Sequence, residues 1–196
     1  VQFVARLPEE RRLRATALLA PERGWWTLRT ASQGERRRVR LRRVDPEAGP
    51  ARGPGAATEA VVEAADLLGA QVVNVEGAAG WTPEALLSVA GCRARLVLSL
   101  HDFALYCPRP SLTEEPDGLF CRYSRGAERC HSCLAATWRL PRGFVEAWRE
   151  SSARLLLAAD AVVFPSEFLK RQHRELFPAV EPRREQVIAP AAPASA

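Results

Sequence analysis

An α/β fold, a Rossmann-like parallel sheet flanked by helices, is predicted by three features of this 196-residue sequence. Short apolar runs recur at residues 71–75, 95–100, 161–164 and 186–188, and a strand buried on both faces reads as such a run. Segments with helical periodicity separate them, as the crossover of a parallel strand pair requires. Gly and Pro mark most of the boundaries.

Composition agrees with one folded domain. The chain is 47% apolar and 26% charged, near the averages for globular proteins. We assign residues 1–188 to a single domain carrying an N-terminal β-hairpin and a cysteine-rich insertion at 103–140. The Ala/Pro tract 189–196 reads as a linker. The chain has no methionine and begins at Val1, so we expect a piece of a longer protein. The formal charge of +5 is spread among acidic residues, which argues against nucleic acid as the partner. No apolar run reaches the roughly 18 to 20 residues needed to span a bilayer, and no signal segment opens the chain. We expect a cytoplasmic protein, with peripheral contact to the inner face of the membrane left open.

The first 19 residues are basic and assign no element. From Trp25 to Val44 the pattern alternates around a Ser32-Gln33-Gly34 turn, which predicts a hairpin with one arginine face. That face is either an anion-binding strip or a charged guard on an edge strand. A Pro/Gly-rich break at 46–55 precedes Thr58, expected to cap a helix through Val61, Val62, Ala65 and Leu68 that stops at Gly69. After the run 71–75, Gly77 and Gly80 make a turn, and Thr82-Pro83 opens a second helix. Pro141 should open a long amphipathic helix whose inner face carries Phe144, Val145, Trp148, Ser152, Leu155, Leu156 and Ala159. Glu150 and Arg154 form an i,i+4 pair on its wet side. Pro165-Ser166 caps a last helix over 167–176.

In an open parallel sheet, ligands sit beyond the carboxyl ends of the strands. Three such ends carry polar residues here: Asn74 with Glu76 and Gly77, His101 with Asp102, and Ser166. His101 is the candidate catalytic group, because a histidine on such a rim can bond a hydroxyl or move a proton near neutral pH. The alternative is a histidine that only bonds backbone. Asn74, Glu76, Gly77, Asp102 and Ser166 are candidate substrate contacts, although a serine placed like Ser166 is more often just a helix cap, a geometry that also suits a phosphate.

Cys107, Cys121, Cys130 and Cys133 lie just downstream of His101, the last two as a Cys-x-x-Cys knuckle. Four thiols at these spacings can close a tetrahedral structural zinc site with no open position. Disulfides, redox thiols and free thiols are the rivals. His131 could replace one thiol. Cys92 stands apart and is expected to be a small buried apolar residue.

The run His101-Asp102-Phe103-x-x-x-Cys107-Pro108-Arg109, followed by Leu112, Gly118, Cys121 and Cys130-x-x-Cys133-Leu134, resembles the N-terminal domain of family four glycosyltransferases of the GT-B fold. Residues 159–170, an Ala-Asp pair, an apolar strand, then Pro-Ser-Glu-Phe, are similar to a further segment of that family. Val187-Ile188-Ala189-Pro190 is similar to its strand before the interdomain linker. The resemblance covers about residues 60–190. It implies the acceptor-binding half of a retaining transferase, which moves a sugar from a nucleotide-sugar to a polysaccharide or lipid-linked acceptor. It also implies a C-terminal donor domain beyond residue 196 that binds most of the nucleotide-sugar, so this piece alone should not turn over. In the family, the position of His101 lies near the transferred sugar and the loop 74–80 shapes the acceptor side. Two features depart from the family: Trp25-Trp26 and an arginine run replace its opening glycine-rich loop, and its paired donor-site glutamates have no counterpart. A second reading is a zinc-stabilised, non-catalytic module that binds nucleic acid or a protein partner, which needs thiols and arginines on one face.

Overall fold

The computed structural model describes residues 2–6, 13–22, 25–32, 35–43 and 55–190. The elements run β1 (Gln2–Arg6), β2 (Leu13–Glu22), β3 (Trp25–Ser32), β4 (Glu35–Arg43), α1 (Gly55–Leu67), β5 (Val72–Glu76), α2 (Pro83–Ala90), β6 (Arg95–Ser99), β7 (Thr113–Glu114), β8 (Leu119–Phe120), α3 (Ala127–Ala135), α4 (Phe144–Ala158), β9 (Ala161–Phe164), α5 (Glu167–Leu176) and β10 (Glu185–Val187). Eight strands form one mixed sheet in the order β10-β9-β6-β5-β1-β2-β3-β4. β10, β9, β6 and β5 are parallel, as the apolar runs and their helical crossovers predict. β10, however, is the sheet's edge strand and is not buried as its run suggests: Gln186 is exposed, as is Ile188 just beyond it.

The other half of the sheet is an antiparallel meander. The expected hairpin is present as β3 and β4, pairing Ser32 with Glu35 beside the turn. It is not a separate appendage, because β1 pairs antiparallel with β5, aligning Gln2 with Asn74, and β2 joins β1 to β3. The opening residues, left without an element by their local pattern, thus supply two strands of the main sheet. Most of the Pro/Gly break before α1 and the final part of the 189–196 tract lie outside the described residues.

Local signals place the helices with small corrections. α1 begins at Gly55, so Thr58 is a buried residue inside the helix rather than its cap. Gly69, at φ +55°, takes the left-handed conformation that ends it. Thr82 caps α2 as expected, its Oγ1 accepting from Ala85 N at 3.2 Å. α4 starts after Gly143, three residues beyond Pro141. It buries Val145, Trp148, Ser151, Ser152, Leu155 and Leu156, close to the predicted face. Arg154 bonds Ser151 Oγ at 3.1 Å rather than pairing with Glu150.

The core lies where β5, β6 and β9 meet α1, α2 and α4, through Val61, Val73, Val75, Leu86, Leu96, Leu98, Leu155, Val162 and Phe164. Ala104, Leu105, Tyr106 and Leu112 belong to the same core. The cysteine-rich segment is therefore rooted in the domain, not appended to it. Trp148 makes the join, being buried to 5% exposure and donating Nε1–H to Ala104 O at 2.9 Å.

Trp148→Ala should cost about 3 to 5 kcal/mol, from lost packing and the cavity it leaves. Trp148→Phe, which removes the indole N–H, should cost about 1 to 3 kcal/mol. Denaturant unfolding checks both, and a near-native midpoint for the alanine variant would contradict the inward placement of Trp148.

Candidate functional site

The parallel registers bring three carboxyl ends together. Glu76 aligns with Ser99, and Ser99 with Val163. Gly77 N–H to Ser99 O at 2.8 Å and Leu100 N–H to Val163 O at 2.8 Å extend the ladder past the strands. His101 and Asp102 thus emerge beside Gly77. Gly77 sits at φ +75°, where a side chain would strain the backbone. A Cβ there would lie 3.9 Å from Asp102 Oδ2, so the requirement is conformational rather than steric.

A chain of hydrogen bonds runs along this rim. Ser99 Oγ donates to Asn74 Oδ1 at 2.9 Å, Asn74 Nδ2 donates to Glu76 Oε1, and Glu76 Oε2 lies 2.9 Å from His101 Nε2. Asn74, Glu76 and His101 are therefore one unit, with the His101 and Glu76 side chains half-exposed at 50% and 43%. Nε2 facing a carboxylate carries the proton in the neutral ring, which leaves a lone pair on Nδ1. That lone pair can accept from a hydroxyl.

The remaining predicted contacts hold the frame. Asp102 Oδ1 accepts from Ala104 N at 2.8 Å, an Asx turn that shapes the loop. Ser166 Oγ accepts from Leu169 N at 3.2 Å, so its hydroxyl caps α5 and is not a member of the rim chain. It sits at the third carboxyl end, one strand over from His101.

Two contributors were not singled out from the sequence. Ser99 orients Asn74. His173, only 2% exposed on the inner face of α5, brings Nε2 within 3.0 Å of Asp102 O and so ties the loop from below. Its ring stacks on Phe103 at 5.5 Å and lies near Phe164 and Phe177. The signal was its i,i+4 spacing from Leu169, a helix-face relation easily read as wet because histidine is polar. Burial lowers the His173 pKa below its ordinary value, which keeps the ring neutral.

The cysteine-rich segment leaves the rim through a turn, Cys107 N–H bonding Phe103 O at 3.0 Å. β7 and β8 form a small hairpin, and α3 follows. The knuckle Cys130-His131-Ser132-Cys133 is helical rather than a loop. All four cysteines line one cavity of about 20 Å³, together with Leu112, Thr113, Glu114, Ser124, Arg129 and Leu134. No disulfide joins any of these four or Cys92. Burial pushes the Cys107 thiol up to about 11. Among the described residues no three His, Cys, Asp or Glu groups stand close enough to hold a metal ion as they are placed. His131 does not line the cavity, and Cys92 is half-buried, not the buried apolar residue expected.

The arginine-bearing strand β4 forms the far edge of the sheet, five strands from β6. At about 4.8 Å per strand that is roughly 24 Å along the sheet, so the topology does not bring thiols and arginine strip together. Among the described residues no helix is long and apolar enough to cross a membrane. Comparison with family models, curated proteins and solved structures gives no match.

The depressed pKa of His173 gives a pH prediction. The unfolded chain binds a proton near pH 6.5, where the folded ring still resists it, so stability rises with pH in that range. Stability should be fully present above about pH 6.5 and fall as pH drops toward the lower folded-state value. His173→Gln should flatten that slope in urea titrations from pH 7 to pH 5, and an unchanged slope would place the titration elsewhere.

Proposed function

We propose that this domain is the acceptor-binding half of a retaining glycosyltransferase acting on a polysaccharide or lipid-linked acceptor. The observation that carries the reading is the Glu76–His101 pair, half-exposed on the carboxyl rim of the parallel strands and continuous with Asn74. Sugars present arrays of hydroxyls, and this rim offers matching groups: a carboxylate, an amide and an imidazole with one free nitrogen.

In transfer, the bond from the anomeric carbon to the diphosphate oxygen breaks and a bond to an acceptor hydroxyl oxygen forms. The diphosphate oxygen leaves with the bonding electrons and takes up the proton that the acceptor hydroxyl gives up. The donor-binding half supplies most of the charge stabilisation for the leaving group. His101 orients the transferred sugar through a hydrogen bond at Nδ1, with Glu76 fixing the ring. Asn74, Gly77 and Asp102 shape the acceptor side, and Ser166 borders it.

His101→Ala, assayed on this domain joined to its donor-binding half, should lower transfer about a hundredfold, the scale of one positioned hydrogen-bonding or proton-moving group. Its unfolding midpoint should hold, because His101 is half-exposed. Unchanged kinetics would remove His101 from the site.

A further inference from the structure

We propose that Cys107, Cys121, Cys130 and Cys133 form a tetrathiolate site for one zinc ion, with the Arg149 guanidinium set against it as a fixed counter-charge. The inference stands apart from sugar transfer and rests on the cavity and its surroundings.

Four thiols from three separate pieces of chain converge on one cavity: Cys107 after β6, Cys121 after β8, and Cys130 with Cys133 on α3. Its volume of about 20 Å³ admits a single small occupant. The other charged groups lining it are already engaged with each other, since Arg129 clamps the Glu114 carboxylate at 2.9 and 2.6 Å. Thr113 Oγ1 bonds Ser111 Oγ and Ser124 O already accepts two hydrogen bonds, so the four sulfurs are the dominant ligand set, and a four-sulfur set selects zinc-class ions.

Donors at two of the four sulfurs suit thiolates. Glu115 N–H points at Cys133 Sγ from 3.4 Å, and Arg149 Nη2 donates to Cys130 Sγ at 3.2 Å. A neutral thiol has little use for a neighbouring half-buried cation, whereas thiolates bound to a divalent ion leave excess negative charge for one to offset. Cys130 Sγ now also faces Ser124 O at 3.4 Å, but that carbonyl already accepts from Tyr106 Oη and Arg149 Nη2. Losing the S–H therefore orphans nothing.

The backbone supplies a reason for a clasp. Leu112, Arg122 and Tyr123 all hold positive φ, at 55°, 51° and 56°, next to the cysteines. Each such residue costs about 1 to 3 kcal/mol and needs surroundings that enforce it. The sulfurs line the cavity but do not stand at ligand spacing, so zinc binding requires them to close inward by side-chain rotation. Each thiol that joins as S–H releases its proton to solvent, its sulfur lone pair makes the bond to zinc, and no electron changes hands.

The test is metal analysis of the chain purified without chelator, followed by zinc titration of the stripped chain. About one zinc per chain is expected, with proton release on rebinding and, after cobalt exchange, the absorption of tetrahedral thiolate coordination. Cys133→Ser should lose most of the metal and Cys92→Ser should keep it. A stripped wild-type chain that rebinds no zinc, disulfides among the four cysteines in the native protein, or equal metal loss in the Cys92 and Cys133 variants would each overturn the proposal.

Discussion

One guanidinium joins the parts of this molecule that local sequence would leave separate. From α4, Arg149 donates Nε to Tyr106 O at 3.3 Å, Nη1 to Arg125 O at 3.2 Å, and Nη2 to Ser124 O at 3.1 Å and to Cys130 Sγ. It also stacks over the Tyr106 ring at 4.0 Å. A planar fork with five N–H donors can serve several carbonyls at once, which an ammonium cannot do with the same geometry. Trp148, its neighbour in sequence, reaches Ala104 O from the same helix. Two adjacent residues of α4 thereby hold both ends of the segment that begins at the rim and ends at the thiol ring.

This arrangement explains why rim and thiols occur together. Beyond the ladder bonds at its start, the loop carrying His101 and Asp102 is held by the Glu76 pair and its own Asx turn. Its position comes from below through His173 and from its far side through Phe103, Tyr106 and Cys107, all anchored in the core or against it. Support of this kind fixes the rim side chains in place, which any ligand contact made there would need, because misplacement of a contact by one ångström weakens it severely. The Glu76–His101 pair is exposed and so worth little to stability. Its value lies in geometry.

Much of the parallel half was legible. Buried strands announce themselves as continuous apolar runs, and Thr82 and Ser166 cap helices where their side chains can reach the first free N–H groups. The antiparallel half was only partly so. β3 and β4 declare themselves by alternation around a turn, but β1 is set by its pairing with β5, seventy residues away in sequence, and no local pattern encodes that. Arg149 and His173 were passed over for a related reason: polar residues on an amphipathic helix read as solvent-facing until a partner from elsewhere is known. The Cys-x-x-Cys knuckle did not read as a helix, since Cys and Ser carry little helical preference and α3 is held by its surroundings.

Through Arg149, α4 clamps the segment from Ala104 to Leu134 onto the sheet. Amide hydrogen exchange on Arg149→Lys tests it most directly, because lysine keeps the charge and loses the fork. Amides of residues 104–134 should exchange many-fold faster while β5, β6 and β9 keep their protection. Equal protection of that segment in variant and wild type would contradict the account.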